Sequence, residues 1–221
     1  MMTAAHPKLK ADLLMFDLDG TLVDSTADLT QSANYVRRQY GLAPLSMGAL
    51  GNYVGDGAWV LIERCMPELS AEQRQAAFRL FRLHYSRHCT DFTVPYPDCI
   101  QVLQHFRRKK IAVVTNKPDL MGKQVLDAYG LSPYIGLLVG GDTARRKKPS
   151  PEHLLQVLEW SACSADRALM VGDGRNDVEA AIAAGVPCCG VLFGIGKPVG
   201  RQGERPAYVI NRLLELLQIV E

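Results

Sequence analysis

Long apolar runs are missing from this chain: nowhere in its 221 residues does a hydrophobic stretch approach the roughly 20 residues that a membrane span needs. The opening, "MMTAAHPKLKADLL", lacks the apolar stretch and small-residue cleavage site of a signal peptide. It is expected to be a short flexible tail on a cytoplasmic protein. Cys-x-x-Cys spacing is absent as well. Of the six cysteines (Cys65, Cys89, Cys99, Cys163, Cys188 and Cys189), only the adjacent pair is close in sequence, a poor geometry for a disulfide framework or a zinc site. Reduced thiols are the expectation. An excess of charge is lacking too, since the formal net charge is +2, which argues against nucleic acid or a membrane surface as the main partner. There is no internal repeat and no low-complexity segment. What remains, with 48% hydrophobic and 22% charged residues, is the composition of a globular chain large enough for a sizeable core and a second small domain.

Six short apolar runs recur along it: "LLMF" (13–16), "IAVV" (111–114), "GLLV" (136–139), "ALMV" (168–171), "CCGVLF" (188–193) and "AYVI" (207–210). Their near-continuous hydrophobicity suits strands buried on both faces of a parallel sheet. Amphipathic stretches with helical spacing separate the later runs, among them Leu154, Leu155 and Leu158, and Leu213, Leu214 and Leu217. Alternating strand and helix predict an open α/β sheet. Between about Ser25 and Phe92 the alternation stops. Leu29, Ala33, Val36 and Tyr40 share a helical face, and "DGAWVLIERCM" and "SAEQRQAAFRLFRLHYSR" follow, punctuated by Gly41, Pro44, Gly55, Gly57 and Pro67. This interval reads as an all-helical insert, a candidate cap. Its hinges are expected near Val23 to Ser25 and in "TVPYP" (93–97), where proline forces extended backbone.

Ligands bind outside the carboxyl ends of strands in open α/β sheets, and the polar residues here collect at those ends. Asp17 and Asp19 follow the first run, with Asp24 a little further on; Thr115, Asn116 and Lys117 follow the second; Gly172, Asp173, Gly174 and Asp177 follow the fourth. Asp19-Gly20 alone reads as a turn. A calcium loop would need glycine where Leu22 stands and a helix rather than a strand in front, so D-x-D is not that motif.

With "DLDGT" (Asp17 to Thr21), Thr115, Lys148 in "KPSP", and "GDGRND" carrying Asp173 and Asp177, the chain resembles the haloacid dehalogenase-like phosphohydrolases, and within them the phosphoglycolate phosphatase branch. The resemblance runs over nearly the whole length. It implies a doubly wound, Rossmann-like core (residues 1–24 and 93–221) with an inserted helical cap (25–92) that selects the substrate. It also implies a Mg2+ ion held by Asp17, the Asp19 carbonyl and Asp173, with Asp177 ordering metal-bound water or holding Lys148. Asp17 would be the nucleophile of an aspartyl-phosphate mechanism and Asp19 the general acid and base. Thr115 and Lys148 would bind the phosphoryl oxygens, with Thr21 and Asn116 as further substrate-binding residues. Dehalogenating members typically lack the second aspartate, so Asp19 argues for phosphoryl transfer. Gly174 stands where many relatives have serine.

"GNYVGDGAWVLIER" (51–64) looks like the cap loop of phosphoglycolate phosphatases. Gly55, Asp56 and Gly57 are therefore candidate substrate contacts, with a helix N-terminus at Gly57 offering free amides to an anion. The implied partner is a small phosphorylated metabolite, most simply 2-phosphoglycolate, and the protein a monomer or homodimer. Another small ester, pyrophosphate or a sugar phosphomutase reaction stays open, since Tyr53, Asp56 and Trp59 do not exclude a hexose. A non-catalytic phosphoacceptor module fits less well, because it would lack both Asp19 and the insert. Arg145, Arg146 and Lys147 read as solvated surface, and Arg107 to Lys110 as the cationic end of a helix. Cys188 and Cys189 read as small hydrophobes in a strand rather than a redox switch. His84 and His88, one helical turn apart, lack a third metal ligand.

Overall fold

The computed structural model describes residues 8–195, 199, 203 and 205–221. Its elements are β1 (Leu13–Phe16), β2 (Val23–Asp24), α1 (Thr26–Gln39), α2 (Met47–Gly51), α3 (Ala58–Cys65), α4 (Ala71–His88), β3 (Val94–Pro95), α5 (Cys99–His105), β4 (Lys110–Val114), α6 (Asp119–Ala128), β5 (Leu137–Val139), α7 (Glu152–Ser161), β6 (Ala168–Gly172), α8 (Arg175–Ala184), β7 (Cys188–Val191), β8 (Tyr208–Ile210) and α9 (Leu216–Ile219). All six apolar runs form strands, and they build one sheet in the order β5-β4-β1-β6-β7-β8 with every pair parallel.

Two hydrophobic clusters show why these strands are apolar throughout. Successive side chains of a strand point to opposite faces. Leu14 and Phe16 enter one cluster with Val102, Met121 and Leu216, from α5, α6 and α9. Leu13 and Met15 enter the other with Leu154 and Val157 of α7 and Val178 of α8. The sheet is thus covered on both sides, the doubly wound arrangement. Cys188 and Cys189 obey the same alternation, one in each cluster. Neighbours in sequence that point to opposite faces cannot form a disulfide, and burial pushes the Cys189 thiol up to about 12. All six cysteines are free.

Between β2 and β3 the chain is helical only, as expected. The expected hinges meet as a two-stranded antiparallel pair, with Val23 opposite Pro95 and Asp24 opposite Val94. Asp24 accepts from the Thr26 amide at 2.9 Å, so this third carboxylate of the opening motif serves the start of α1 and stands apart from the site. The buried Asp28 accepts from the Phe92 amide (2.9 Å), the Thr93 amide (2.8 Å) and the Thr93 hydroxyl (2.7 Å), clasping the two hinge strands' flanks together. Inside the insert, the Arg37 guanidinium donates to the carbonyls of Ala43 and Cys65 and so ties α1 to α3. His84 stacks on Tyr35 and His88 (4.1 and 4.4 Å between centroids) and meets Ser32 Oγ through Nδ1 at 3.0 Å.

The expected N-terminal tail is shorter than the sequence implied. Leu9 pairs with the last strand-like residues, its amide donating to Ile219 and its carbonyl accepting from Glu221 (2.8 and 3.0 Å), and Ala11 is buried. Residues 8–12 therefore belong to the fold, Leu9 through a parallel bridge to Val220 and Asp12 through its amide on the Arg167 carbonyl at 2.8 Å; the tail reading for residues 1–7 lies outside the described residues. Among the described residues no helix is long and apolar enough to cross a membrane.

One buried group makes a stability prediction. His153 on α7 is fully buried and neither ring nitrogen has a hydrogen-bond partner. Burial, with Lys148 nearby, lowers its pKa from 6.5 to about 4. The unfolded chain then binds the proton more readily, so stability contributed by the neutral ring is lost as pH falls from about 6.5 to 4, by up to about 3 kcal/mol. His153→Leu is expected to reduce the drop in unfolding free energy between pH 7 and pH 4, measured by urea titration. An unchanged drop would show that this imidazole is not the acid-sensitive group.

Candidate active site

The chain runs from β1 through the insert to β4 on one flank of β1, moves outward to β5, then crosses to β6 on the other flank. β1 is therefore the topological switch, and the loops after β1, β4, β5 and β6 converge on one crevice. Asp17 leaves β1 with its amide bonded to the Val171 carbonyl (2.9 Å), which holds it beside the end of β6. Gly20 then turns at φ 92°, and a Cβ there would fall 2.1 Å from Asp173 Oδ2. Only glycine lets this loop and Asp173 approach so closely.

Lys148 comes in from the long loop after β5. Its ammonium donates to Asp17 Oδ1 (2.8 Å), Asp177 Oδ1 (2.5 Å) and the Val114 carbonyl (2.6 Å), which uses all three N–H groups. Asp177 sits in the first turn of α8 and accepts from the Gly174 amide with its other oxygen at 3.0 Å. Of the two roles expected for Asp177, this geometry favours holding Lys148. Thr115 Oγ1 accepts from the Lys117 amide at 3.1 Å, turning the chain after β4.

Asp17, Asp173 and Asp177 offer carboxylate oxygens that all lie within 4.8 Å of one another. Three buried carboxylates share one buried ammonium. The surplus negative charge has a cost: burial pushes Asp17 up to about 7 against the pull of Lys148, and burial with Asp17 and Asp177 nearby holds Asp173 well above the carboxylate range. Burial pulls Lys148 toward the neutral form, but Asp17 and Asp177 outweigh it and keep it charged. A divalent cation would cancel the surplus. The donors are hard oxygens without sulfur or imidazole, the set for magnesium-like ions. The residues present fit such a cation.

Asp19 stands in a second cluster. Its carboxylate accepts from Ser25 Oγ at 2.6 Å and from Lys117 Nζ at 2.9 and 3.2 Å. Lys117 also bonds the Tyr85 hydroxyl and lies 4.6 Å from that ring's centroid. Asp19 and Tyr85 hold this buried ammonium charged, although burial opposes it. Sequence reasoning placed Lys117 at a strand end without giving it a role, and Tyr85, on α4 of the insert, was missed. The sequence signal for Lys117 was its place directly after Thr115 and Asn116; nothing local marks Tyr85.

A cavity joins both clusters to the insert. Asp17, Asp19, Thr115, Asn116, Lys148, Asp173 and Asp177 line it, as do Gly55, Gly57 and the apolar Leu29, Leu61, Phe81 and Met121. Gly57 takes φ 89° as the N-cap of α3, so the free amides of that helix open beside the cavity. Asn116 Nδ2 bonds the carbonyls of Gly55 (2.8 Å) and Lys148 (2.9 Å). Asn176 Nδ2 bonds the Gly55 carbonyl and Asp56 Oδ1 (3.1 and 2.7 Å), and Asp56 in turn pairs with Arg64 at 2.6 Å. Thus Asp56 faces Asn176 and Arg64 and does not line the cavity. Nor does Thr21, which is fully buried with its hydroxyl unpartnered. Lys147 is exposed but not merely solvated surface, since its Nζ lies 2.8 Å from where a Gly57 Cβ would sit.

Strand-end carboxylates bridged by a buried lysine, at the switch point of a doubly wound sheet, define an α/β protein equipped to hold an anionic ligand together with a cation. The haloacid dehalogenase-like hydrolase family model matches residues 14–191, and the chain belongs to that family. It is 36% identical to phosphoglycolate phosphatase 1 of Pseudomonas aeruginosa, over 98% of this chain and 83% of that protein. It is 38% identical to the phosphoglycolate phosphatase of Neisseria gonorrhoeae, over 98% and 95%. A crystal structure of a predicted phosphoglycolate phosphatase from Haemophilus somnus superimposes with a TM-score of 0.90 at 27% identity, covering 95% of this chain and 98% of that one.

Proposed function

We propose that the protein is a Mg2+-dependent phosphatase that hydrolyses 2-phosphoglycolate to glycolate and phosphate, with residues 25–92 acting as the cap that selects the substrate. The observation that carries this reading is the Asp17–Lys148–Asp177 chain beside Asp173, a buried carboxylate centre in which a lysine donates to the oxygen nucleophile and pulls it toward the ionised form against burial. In support stand the phosphoglycolate phosphatases to which the chain is similar.

Asp17 is the nucleophile. Lys148 pulls its carboxylate toward the ionised form and holds Oδ1 by a hydrogen bond, leaving the other oxygen to attack phosphorus. Asp17, Asp173 and the Asp19 carbonyl would hold Mg2+, which when bound neutralises the phosphate and carboxylate charges. Asp19, tethered by Ser25 and Lys117, protonates the departing glycolate oxygen and then takes a proton from the water that opens the aspartyl-phosphate. Thr115 and the amides after β4 bond the equatorial oxygens of the transferring group, and the charge of Lys148, its N–H groups already engaged, stabilises them from beside Asp17. Asn116 and Asn176 hold the Gly55 carbonyl, keeping the cap loop over this centre and water out.

Size favours a small ester. The cavity is small, about 80 Å3 in volume. Phosphate release from 2-phosphoglycolate, ethyl phosphate and glucose 6-phosphate is the test. The carboxylate is expected to add about 1.5 to 3 kcal/mol of binding in the transition state, which makes kcat/KM for 2-phosphoglycolate about 10 to 150 times that for ethyl phosphate. Equal values would remove the carboxylate from the recognition, and a faster hexose phosphate would move the protein to the sugar-phosphate class.

A further inference from the structure

Resting on that reading, we infer that Lys117 is the specificity residue of this site, the cation that receives the non-reacting carboxylate of the substrate. Its side chain is only 2% exposed, and a lysine so buried is retained where its charge has a use. Tethering Asp19 is one use; the phosphoryl group itself has Lys148 for its cation. Among the described residues lining the cavity, Arg82 is the other cation outside the Asp17 centre, and it is exposed with its guanidinium 5.8 Å over the Phe78 ring. Lys117 is the buried one.

Geometry places it where a carboxylate must go. An ammonium has three N–H groups; Asp19 takes contacts of 2.9 and 3.2 Å through its two oxygens and the Tyr85 hydroxyl takes the third, so a ligand in the cavity that Lys117 lines would replace the longer contact to Asp19. Asp19 hydrogen-bonds the leaving oxygen as it departs, and Lys117 is 2.9 Å from Asp19. In 2-phosphoglycolate the carboxylate carbon is two bonds from that oxygen, so an ester whose leaving oxygen meets Asp19 brings its carboxylate against Lys117. The neighbouring walls, Leu29, Leu61, Phe81 and Met121, are apolar. A second anion in the cavity therefore finds its counter-charge at Lys117, in surroundings that strengthen the pairing. Tyr85, from the insert, holds the same ammonium, so cap and core jointly set its position.

Because Lys117 also tethers Asp19, replacing it is expected to slow every substrate; the diagnostic is the ratio between substrates. Wild type, Lys117→Met, Lys117→Gln and Lys117→Arg would be assayed with 2-phosphoglycolate and with ethyl phosphate at saturating Mg2+. Both neutral variants are expected to lose the preference, the kcat/KM ratio falling from about 10 to 150 toward 1, with KM for 2-phosphoglycolate rising more than KM for ethyl phosphate. Lys117→Arg keeps a preference for the carboxylated ester. Residual ethyl phosphate turnover shows that each variant is folded. Two neutral variants guard against one that fails to fold, since glutamine can still bond Asp19 and Tyr85. If both esters slow by the same factor and the ratio stands, Lys117 serves Asp19 alone and the inference is wrong. A wild-type ratio near 1 is a different failure, that of the phosphoglycolate reading itself.

Discussion

Asp17→Asn is expected to reduce phosphate release from 2-phosphoglycolate to background, a loss of at least about 10,000-fold. An amide oxygen cannot form the aspartyl-phosphate, and no neighbouring carboxylate is free to substitute: Asp177 is committed to Lys148 and the Gly174 amide, and Asp173 accepts from the Ile195 amide at 2.8 Å. The change is nearly isosteric and removes one charge from a centre with a surplus of negative charge, so the fold is expected to survive. Asp19→Asn is the contrast. It leaves the nucleophile intact and removes acid and base assistance, for a loss of about 100 to 10,000-fold. Single-turnover assays with both variants separate the two roles, because the Asp17 variant forms no phosphorylated protein. Near-normal turnover by Asp17→Asn would overturn the assignment.

Removing divalent cations is expected to be nearly as severe for activity, and it carries a pH signature in stability. Without a cation, burial raises Asp17 from 3.8 to about 7 and raises Asp173 as well. The folded protein then binds protons more readily than the unfolded chain between those values. For Asp17 the cost of ionisation is absent below about pH 4, grows as pH rises and is complete above about pH 7, amounting to a few kcal/mol, and Asp173 adds to it in the same direction. A bound cation offsets it. EDTA should therefore abolish turnover and lower the melting temperature, and the gap between Mg2+ and EDTA samples should widen from pH 5 to pH 8. Calcium should restore the melting temperature without restoring turnover, since its looser coordination misplaces the attacking carboxylate. A gap that is constant with pH, or activity that survives exhaustive chelation, would reject a cation held by Asp17, Asp173 and the Asp19 carbonyl.

The sequence by itself determined the sheet and most of its chemistry. Each strand is buried on both faces, so it reads as a continuous apolar run, and the residue after each run is placed at the strand end without further information. That is why Asp17, Thr115, Asn116 and Asp173 are placed at strand ends by the sequence alone, and why the gap in the strand pattern marks the insert. Tertiary structure alone decided the pairings. Lys148 meets Asp17 from 131 residues away, Tyr85 reaches Lys117 across 32, and Asn176 bonds Gly55 across 121. No local periodicity encodes contacts of that range. Asp24 and Thr21 share a motif with Asp17 and Asp19, yet one starts a helix and the other is buried away from the cavity. The turn at Gly20 rather than residue type sorts them. Lys117 looked like one more polar residue at a strand end; its importance comes from an ammonium buried between Asp19 of the core and Tyr85 of the insert, and burial is a property the folded chain has and the sequence does not.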